Sequence, residues 1–260
     1  MLAKGDVGRQ LFDEHRNGTR FHNLGPQCGV SDLAGAYAVQ REYVALMHPA
    51  HGAVSGYKIG LTSSRMQKMC NIDQPIAGVV FASRVKKSGV ALKASDYGRL
   101  GVEFEVGVQL ARDLPVMGNP YDSEAVARAV DGVCAAVEVV DDRNADYTGL
   151  DVLSLIADNS WNAGAILDEF RKPWPDLAEA RGVLFIDGKE TDSGHGRDVL
   201  GHPFVPLAWL ANRLIADGSS LKAGDIVLTG SLVTTKFPKE SGRYRYELAG
   251  IGAVDFSVEV

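Results

Sequence analysis

Apolar residues within the first fifty positions recur at helical spacing. Leu33, Tyr37, Val44 and Met47 follow a mostly i, i+3 and i+4 series. That series predicts a helix with Ser31 as its N-cap and Pro49 as its stop. Residues 6–17 read as a shorter amphipathic helix ahead of it. From about residue 54 the apolar period shortens to two and Gly punctuates the runs. Strands are expected at 54–61, 77–82, 101–112, 132–141, 182–187, 226–235, 242–248 and 251–259. Asp187-Gly188, between Val-Leu-Phe-Ile and Lys-Glu-Thr, is a hairpin-turn dipeptide. A helix is expected at 123–130, capped by Asp122 or Ser123. Another is expected at 203–216, with Pro203 at its start, Leu207, Leu210 and Leu214 on one face, and Gly218 at its end. Strands and helices do not alternate regularly, which disfavours doubly wound and TIM-barrel architectures. The pattern predicts one α+β domain over 1–260, with an α-rich segment at 1–50 and a mixed β-sheet core at 51–260.

Composition narrows the function classes. Of 260 residues, 45% are apolar and 23% charged, close to the globular average, so a sizeable core can be buried. The 29 glycines argue for many turns and against an all-helical bundle. A formal net charge of −6 argues against nucleic acid as a partner, because phosphate neutralisation needs basic surface. No apolar run has the length of a membrane span, and the charged opening Met-Leu-Ala-Lys-Gly-Asp has no apolar h-region of a signal peptide. Cys28, Cys70 and Cys134 are too few and too widely spaced for a disulfide framework or a CxxC metal site. A reduced, cytoplasmic protein is expected.

The chemistry concentrates in a few segments. In Gly101-Val-Glu-Phe-Glu-Val-Gly-Val-Gln-Leu110, Val102, Phe104, Val106, Val108 and Leu110 alternate onto one face, and Glu103, Glu105, Gly107 and Gln109 onto the other. The two carboxylates point the same way, roughly 7 Å apart at Cα. By itself such a pair can be a solvent-facing acidic row. Glu138, however, lies inside the apolar run Ala135-Ala-Val-Glu-Val-Val-Asp-Asp-Arg143, with Ala136 and Val140 as same-face neighbours. A buried carboxylate there needs a partner. The partner is either a buried Lys or Arg, or a metal: three converging carboxylates make a hard oxygen site suited to Mg²⁺ or Mn²⁺. No His or Cys has the spacing that zinc requires.

Gly56-Tyr-Lys-Ile-Gly-Leu-Thr-Ser63 places Lys58 on one strand face with Gly60 and Thr62. Beside a carboxylate–metal site it could bind a substrate carboxylate or carry protons. Otherwise it is a surface lysine lying along apolar neighbours. Ala157-Asp-Asn-Ser-Trp-Asn-Ala-Gly164 reads as a pocket-lining loop or a capped turn, and Gly201-His-Pro203 as a helix start where free N–H groups favour an anion or where His202 merely caps. Asp225 reads as a turn residue before Ile226-Val-Leu-Thr-Gly230. No Walker A, GxGxxG, GxSxG or HExxH pattern occurs.

Together the segments resemble the 2-keto-4-pentenoate hydratase family, a branch of the fumarylacetoacetate hydrolase superfamily that also includes 4-oxalocrotonate decarboxylases. The resemblance runs from Leu33-Ala-Gly-Ala-Tyr-Ala-Val-Gln40 through GYKIGLTS, EFE, VEVVDDR, ADNSWNAG, GHP and LKAGDIVLTGSL to the C-terminal Gly-Ile-Gly-Ala-Val-Asp-Phe. It implies a fumarylacetoacetate hydrolase C-terminal-domain fold with an α-rich N-terminal segment, assembled as a homo-oligomer. It implies that Glu103, Glu105 and Glu138 ligate a divalent metal, usually Mg²⁺, with Mn²⁺ as the substitute. Lys58 is then the catalytic and substrate-binding residue, with Ser160 and His202 as further substrate contacts. The implied partner is a small 2-oxo or 2-hydroxydienoic acid from aromatic-compound catabolism, hydrated to a 4-hydroxy-2-oxo acid. Hydratases of the family commonly carry Pro-Asp-aromatic-Gly where this chain has Gln74-Pro-Ile-Ala-Gly78. Ile76 replaces the Asp, as an aliphatic residue does in decarboxylase relatives, so that acid–base role does not carry over. A 4-oxalocrotonate-type decarboxylase, a C–C hydrolase of the superfamily and a non-catalytic metal- or carboxylate-binding relative are the alternatives.

Overall fold

A computed structural model describes residues 4–260. Two helices open it, α1 (Lys4–Arg16) and α2 (Leu33–His51). They pack through Val7 and Leu11 against Val39, Tyr43 and Met47. The cap of α2 is Asp32 rather than Ser31, since Asp32 Oδ1 accepts from Gly35 N at 2.7 Å. Nor does Pro49 stop the helix. It lies in the last turn, where it forfeits a single backbone bond, and α2 continues to Gly52, whose N–H donates to His48 O.

Twelve strands follow. They are β1 (Val54–Gly60), β2 (Ile76–Phe81), β3 (Val85–Lys87), β4 (Ala91–Lys93), β5 (Leu100–Leu110), β6 (Val130–Asp141), β7 (Asn162–Leu167), β8 (Arg181–Ile186), β9 (Lys189–His195), β10 (Ile226–Ser231), β11 (Gly242–Leu248) and β12 (Gly252–Glu259). Between them lie α3 (Ser64–Met69), α4 (Ser123–Ala127), α5 (Val152–Ala157) and α6 (Phe204–Ala216). Seven strands form one mixed sheet in the order β2-β1-β10-β5-β6-β7-β3, and five form a second, β4-β12-β11-β8-β9. Asp187 and Gly188, both at positive φ, make the β8–β9 hairpin turn the sequence predicts.

The expected helix at 123–130 is shorter, because Val130 already opens β6. The expected strand at 226–235 breaks regular pairing at Ser231. Beyond a register shift at Gly230 the chain keeps contact with β5 irregularly, with Leu232 N donating to Phe104 O and Lys236 N to Val102 O.

The two faces of β5 part company. Phe104 packs its ring, tilted, against Tyr246 and Phe256 of the second sheet, with centroids 5.4 and 6.4 Å away. Glu103 and Glu105 point to the other face, into the concave side of the seven-stranded sheet. That sheet curls until β2 meets β7. Side chains occupy the outer edge of β2 instead of a strand. Ala77 N donates to the Tyr37 hydroxyl, and Ala77 O accepts from Gln40 Nε2 and Ser160 Oγ. Val79 exchanges both backbone bonds with the Asn159 amide, at 2.7 and 3.0 Å. A Cβ on Gly78 would collide with the Asn159 carbonyl, so this close approach requires glycine.

Candidate active site

Strand register assembles the carboxylates. Glu103 of β5 lies directly opposite Glu138 of β6, and Glu105 lies two residues along the same face, opposite Ala136. One oxygen from each of the three lies within 4.8 Å of the others. Glu105 and Glu138 are fully buried, and Glu103 is half-buried. Thr235 Oγ1 donates to Glu103 Oε1 at 2.6 Å, and Gly230 N to Glu105 Oε2 at 2.6 Å. Asn162 Nδ2 donates to Glu138 Oε1 at 3.0 Å, and the Lys58 ammonium lies 3.1 Å from the same oxygen. Glu105 Oε1 and Glu138 Oε2 are buried with no partner among the described residues.

The electrostatics agree with an incomplete cluster. Burial, together with the charge of Glu103, pushes the Glu138 carboxyl up to about 7 despite Lys58 and Asn162. Burial and the neighbouring Glu138 and Glu103 hold Glu105 well above the usual carboxylate range. Burial alone would lower Lys58, but Glu138, Glu103 and Glu105 outweigh it and raise it. With all four groups ionised, three carboxylates face one ammonium, leaving a buried charge of −2. A hard divalent cation matches that charge, the all-oxygen donor set and the two unpartnered oxygens.

Lys58 is therefore no surface lysine: it is 4% exposed and its head lies among carboxylates. It opens with Glu103, Ser160, Trp161 and Ile76 onto a cavity of about 310 Å³. Ile76, paired to Gly60 on β1, is itself part of the cavity wall, so an aliphatic side chain occupies the position where the hydratase pattern has Asp. The Ala157–Gly164 segment is not one loop. It joins the end of α5 to a tight turn and the start of β7. In that turn Asn159, Ser160 and Trp161 take three successive left-handed conformations, φ 51°, 49° and 59°, and this places Ser160 and Trp161 on the cavity.

His202 is not brought to the group. It is absent from the cavity lining, and its Nδ1 accepts from Phe204 N at 3.0 Å, capping the start of α6. Asn162, Thr235 and the Gly230 amide are site residues that sequence reasoning passes over. Asn162 lies inside the Ala157–Gly164 segment that the sequence reads as a pocket-lining loop or a capped turn.

A second buried carboxylate lies nearby with the opposite character. Asp158 accepts from Arg143 Nη2 at 2.7 Å and lies 2.5 Å from His15 Nε2. Burial pushes its carboxyl up, but His15 and Arg143 together hold it below the usual range. Asp141, from the same Asp-Asp-Arg run, takes the backbone N–H groups of Gly98, Arg99 and Arg143, and Asp142 pairs with Arg99.

Comparison with known proteins places this geometry. Over 254 residues the chain is 34% identical to a 2-keto-4-pentenoate hydratase of Burkholderia vietnamiensis, covering 95% of this chain and 94% of that protein. It is 30% identical over 250 residues to a 2-hydroxyhexa-2,4-dienoate hydratase of Comamonas testosteroni, covering 94% and 93%. Its fold is similar to that of 4-oxalocrotonate decarboxylase from Pseudomonas putida G7, solved with magnesium and adipate, with a TM-score of 0.91 over 99% of both chains at 24% identity. Residues 51–259 match the fumarylacetoacetate (FAA) hydrolase C-terminal family, and with this match and these relatives the chain belongs to that family.

Proposed function

We propose that this chain is a Mg²⁺-dependent hydro-lyase that converts a 2-hydroxy-2,4-dienoate into a 4-hydroxy-2-oxo acid in aromatic-compound catabolism, with Mn²⁺ able to substitute. The observation that carries the reading is the carboxylate trio with two unpartnered oxygens beside Lys58 at a cavity of about 310 Å³. Relatives named 2-keto-4-pentenoate hydratase and 2-hydroxyhexa-2,4-dienoate hydratase, alike across nearly the whole chain, favour hydration. The likeness to a decarboxylase is one of fold.

Glu103, Glu105 and Glu138 would hold the metal. When bound, it supplies electrophilic polarisation to a chelating 2-oxo carboxylate. Lys58 gives the substrate carboxylate a positive contact in a site whose own carboxylates repel it. The Ser160 hydroxyl, on the same cavity, orients the substrate. In the reaction the 2-hydroxyl loses a proton and C5 gains one. Water oxygen then bonds to C4 while a proton is delivered to C3. Ile76 cannot move those protons, and we assign that work to Lys58 Nζ. Three unpaired buried cysteines agree with a cytoplasmic setting, and a homo-oligomer is the assembly we expect.

The deciding experiment incubates the protein with 2-hydroxypenta-2,4-dienoate and with 4-oxalocrotonate, with and without Mg²⁺, and identifies the products. Mg²⁺-dependent 4-hydroxy-2-oxopentanoate is the expected result. CO₂ release from 4-oxalocrotonate with no hydration of the dienoate would overturn it.

A further inference from the structure

A second cavity, of about 620 Å³, lies on the other face of β6. Val140 lines the cavity of the carboxylate trio, Val139 and Asp141 line this one, and the two cavities share no lining residue. Its floor is apolar. Met47, Leu92 and Val139 are buried there, and Phe12 and Tyr97 are half-buried. Three cations border it, the half-buried Arg84 and the exposed Arg16 and Lys86. None of the three has a carboxylate partner among the described residues. Arg16 lies over the Phe12 ring, Lys86 Nζ donates to Ser83 O, and Arg84 Nη2 donates to His51 Nε2 at 3.2 Å. Burial, and then the charge of Arg84, hold that imidazole below the usual histidine range, so it accepts the bond uncharged. The rest of the Arg84 fork is unclaimed. Its backbone is fixed against β7, because a Cβ on Gly164 would fall 2.6 Å from Arg84 O.

The carboxylates of the lining do not answer these cations. Asp141 is taken up by the backbone N–H groups of Gly98, Arg99 and Arg143, and Asp96 is exposed on a turn, with no ion pair among the described residues. The Tyr97 hydroxyl also lacks a hydrogen bond among the described residues. We infer that this cavity is a second ligand site, for an organic monocarboxylate with an apolar body, and that Arg84 receives the carboxylate. A guanidinium takes a carboxylate in a fork, and Arg16 and Lys86 add positive field at the rim. The apolar body covers the floor that a bare inorganic anion would leave wet. The wall also holds His15, the partner of Asp158, and Asn162, whose Nδ2 donates to Glu138 Oε1. The ligand therefore touches supports of the active site and none of its carboxylates or Lys58. The inference stands apart from the hydratase reading.

The test titrates cyclohexanecarboxylate calorimetrically into the full chain, first free of metal and then with Mg²⁺. Without metal the trio repels an anion from the main cavity, so binding there is suppressed. One site per chain is expected, with an affinity that Mg²⁺ changes by less than about twofold. Arg84→Gln keeps an N–H for His51 and should weaken binding by about tenfold, whereas Arg84→Lys should keep part of it. The double variant Arg16→Glu, Lys86→Glu changes only exposed side chains, which spares the fold, and should weaken binding by about threefold. Added NaCl should weaken binding in the parent more than in Arg84→Gln. Inorganic phosphate has the charge without the body and cyclohexylmethanol the body without the charge, and each should bind at least about tenfold more weakly. Absence of binding overturns the inference. Binding that appears only with Mg²⁺ places the anion in the main cavity and overturns it too, as does an affinity that neither Arg84→Gln nor the double variant alters. Phosphate or the alcohol binding as tightly as the acid would overturn the ligand class.

Discussion

The buried carboxylates around Glu138 and around Asp158 differ in whether their charge closes. Around Asp158, Arg143 and His15 answer the carboxylate, and its pKa is held down. Around Glu138, one ammonium faces three carboxylates, two oxygens lack partners, and the carboxyl is pushed up to about 7. The first arrangement fixes the turn that precedes Ser160 and Trp161. The second is left open on the side of the cavity. A buried ion network that closes is architecture, and one that is short of positive charge is a receptor for it.

The comparison breaks most sharply at Lys58. Lys58→Met keeps the stem and removes the charge. Turnover should fall by about a thousandfold, with the metal-loaded fold intact by circular dichroism. The metal-free form should lose stability, because Glu138 loses its ion-pair partner. Wild-type turnover in this variant would return Lys58 to a packing role.

The paired substitutions Glu105→Gln and Asp158→Asn come next. Glu105→Gln should weaken Mg²⁺ binding by about a hundredfold, yet raise the melting temperature of the metal-free protein by relieving repulsion. Asp158→Asn should cost about 3 kcal/mol of stability by removing the carboxylate between buried Arg143 and His15, leaving Arg143 to Glu14 and the Thr19 carbonyl, with Mg²⁺ affinity of the folded protein nearly unchanged. Calorimetric titration and thermal melts read both. Melting temperatures that shift in the same direction would erase the distinction between the clusters.

Acidity should separate them too. Glu138 titrates at about 7 in the fold against 4.5 unperturbed. The folded state therefore binds the proton more tightly, and metal-free stability declines as pH rises from about 4.5 through 7. Glu105 acts in the same direction. Asp158 has the reverse sign: its contribution is present above 3.8 and lost as pH falls through its lowered folded value. Mg²⁺ should raise the melting temperature more at pH 7.5 than at pH 5, since the ligands must ionise to bind. A flat metal-free profile between pH 5 and 7 would refute the assignment.

The smallest effect is expected at Ile76. Ile76→Asp places a carboxyl on the cavity wall, and hydration should be unchanged or faster. Suppressed turnover of the dienoate would mean that the apolar side chain is part of the chemistry.

Much of this site is legible in the chain because strand parity is a strict code. The Glu-x-Glu of β5 fixes two carboxylates to one face, and Glu138 within an apolar run demands a partner. What parity cannot supply is register between strands. The match of Glu103 to Glu138, and the arrival of Lys58 beside Glu138, depend on pairing across the sheet. The strands β3 and β4 escape pattern reading for a different reason: three residues each carry too little alternation. The helices α3 and α5 are likewise only six residues each, under two turns. His202 marks a limit of such reading, because a helix start looks alike whether its polar residue meets a ligand or its own backbone.

The side-chain border along β2 has a consequence for how the molecule can be divided. The family match begins at residue 51, yet the groups that seal β2 include Tyr37 and Gln40 of α2. A fragment cut at the family boundary would bare the Ala77 amide and one bond of its carbonyl, turning a sealed strand into an open template for another chain to pair with. The helical segment is thus a gasket as well as a cover, and inheritance of the β core alone would carry a propensity to self-associate that the intact chain suppresses.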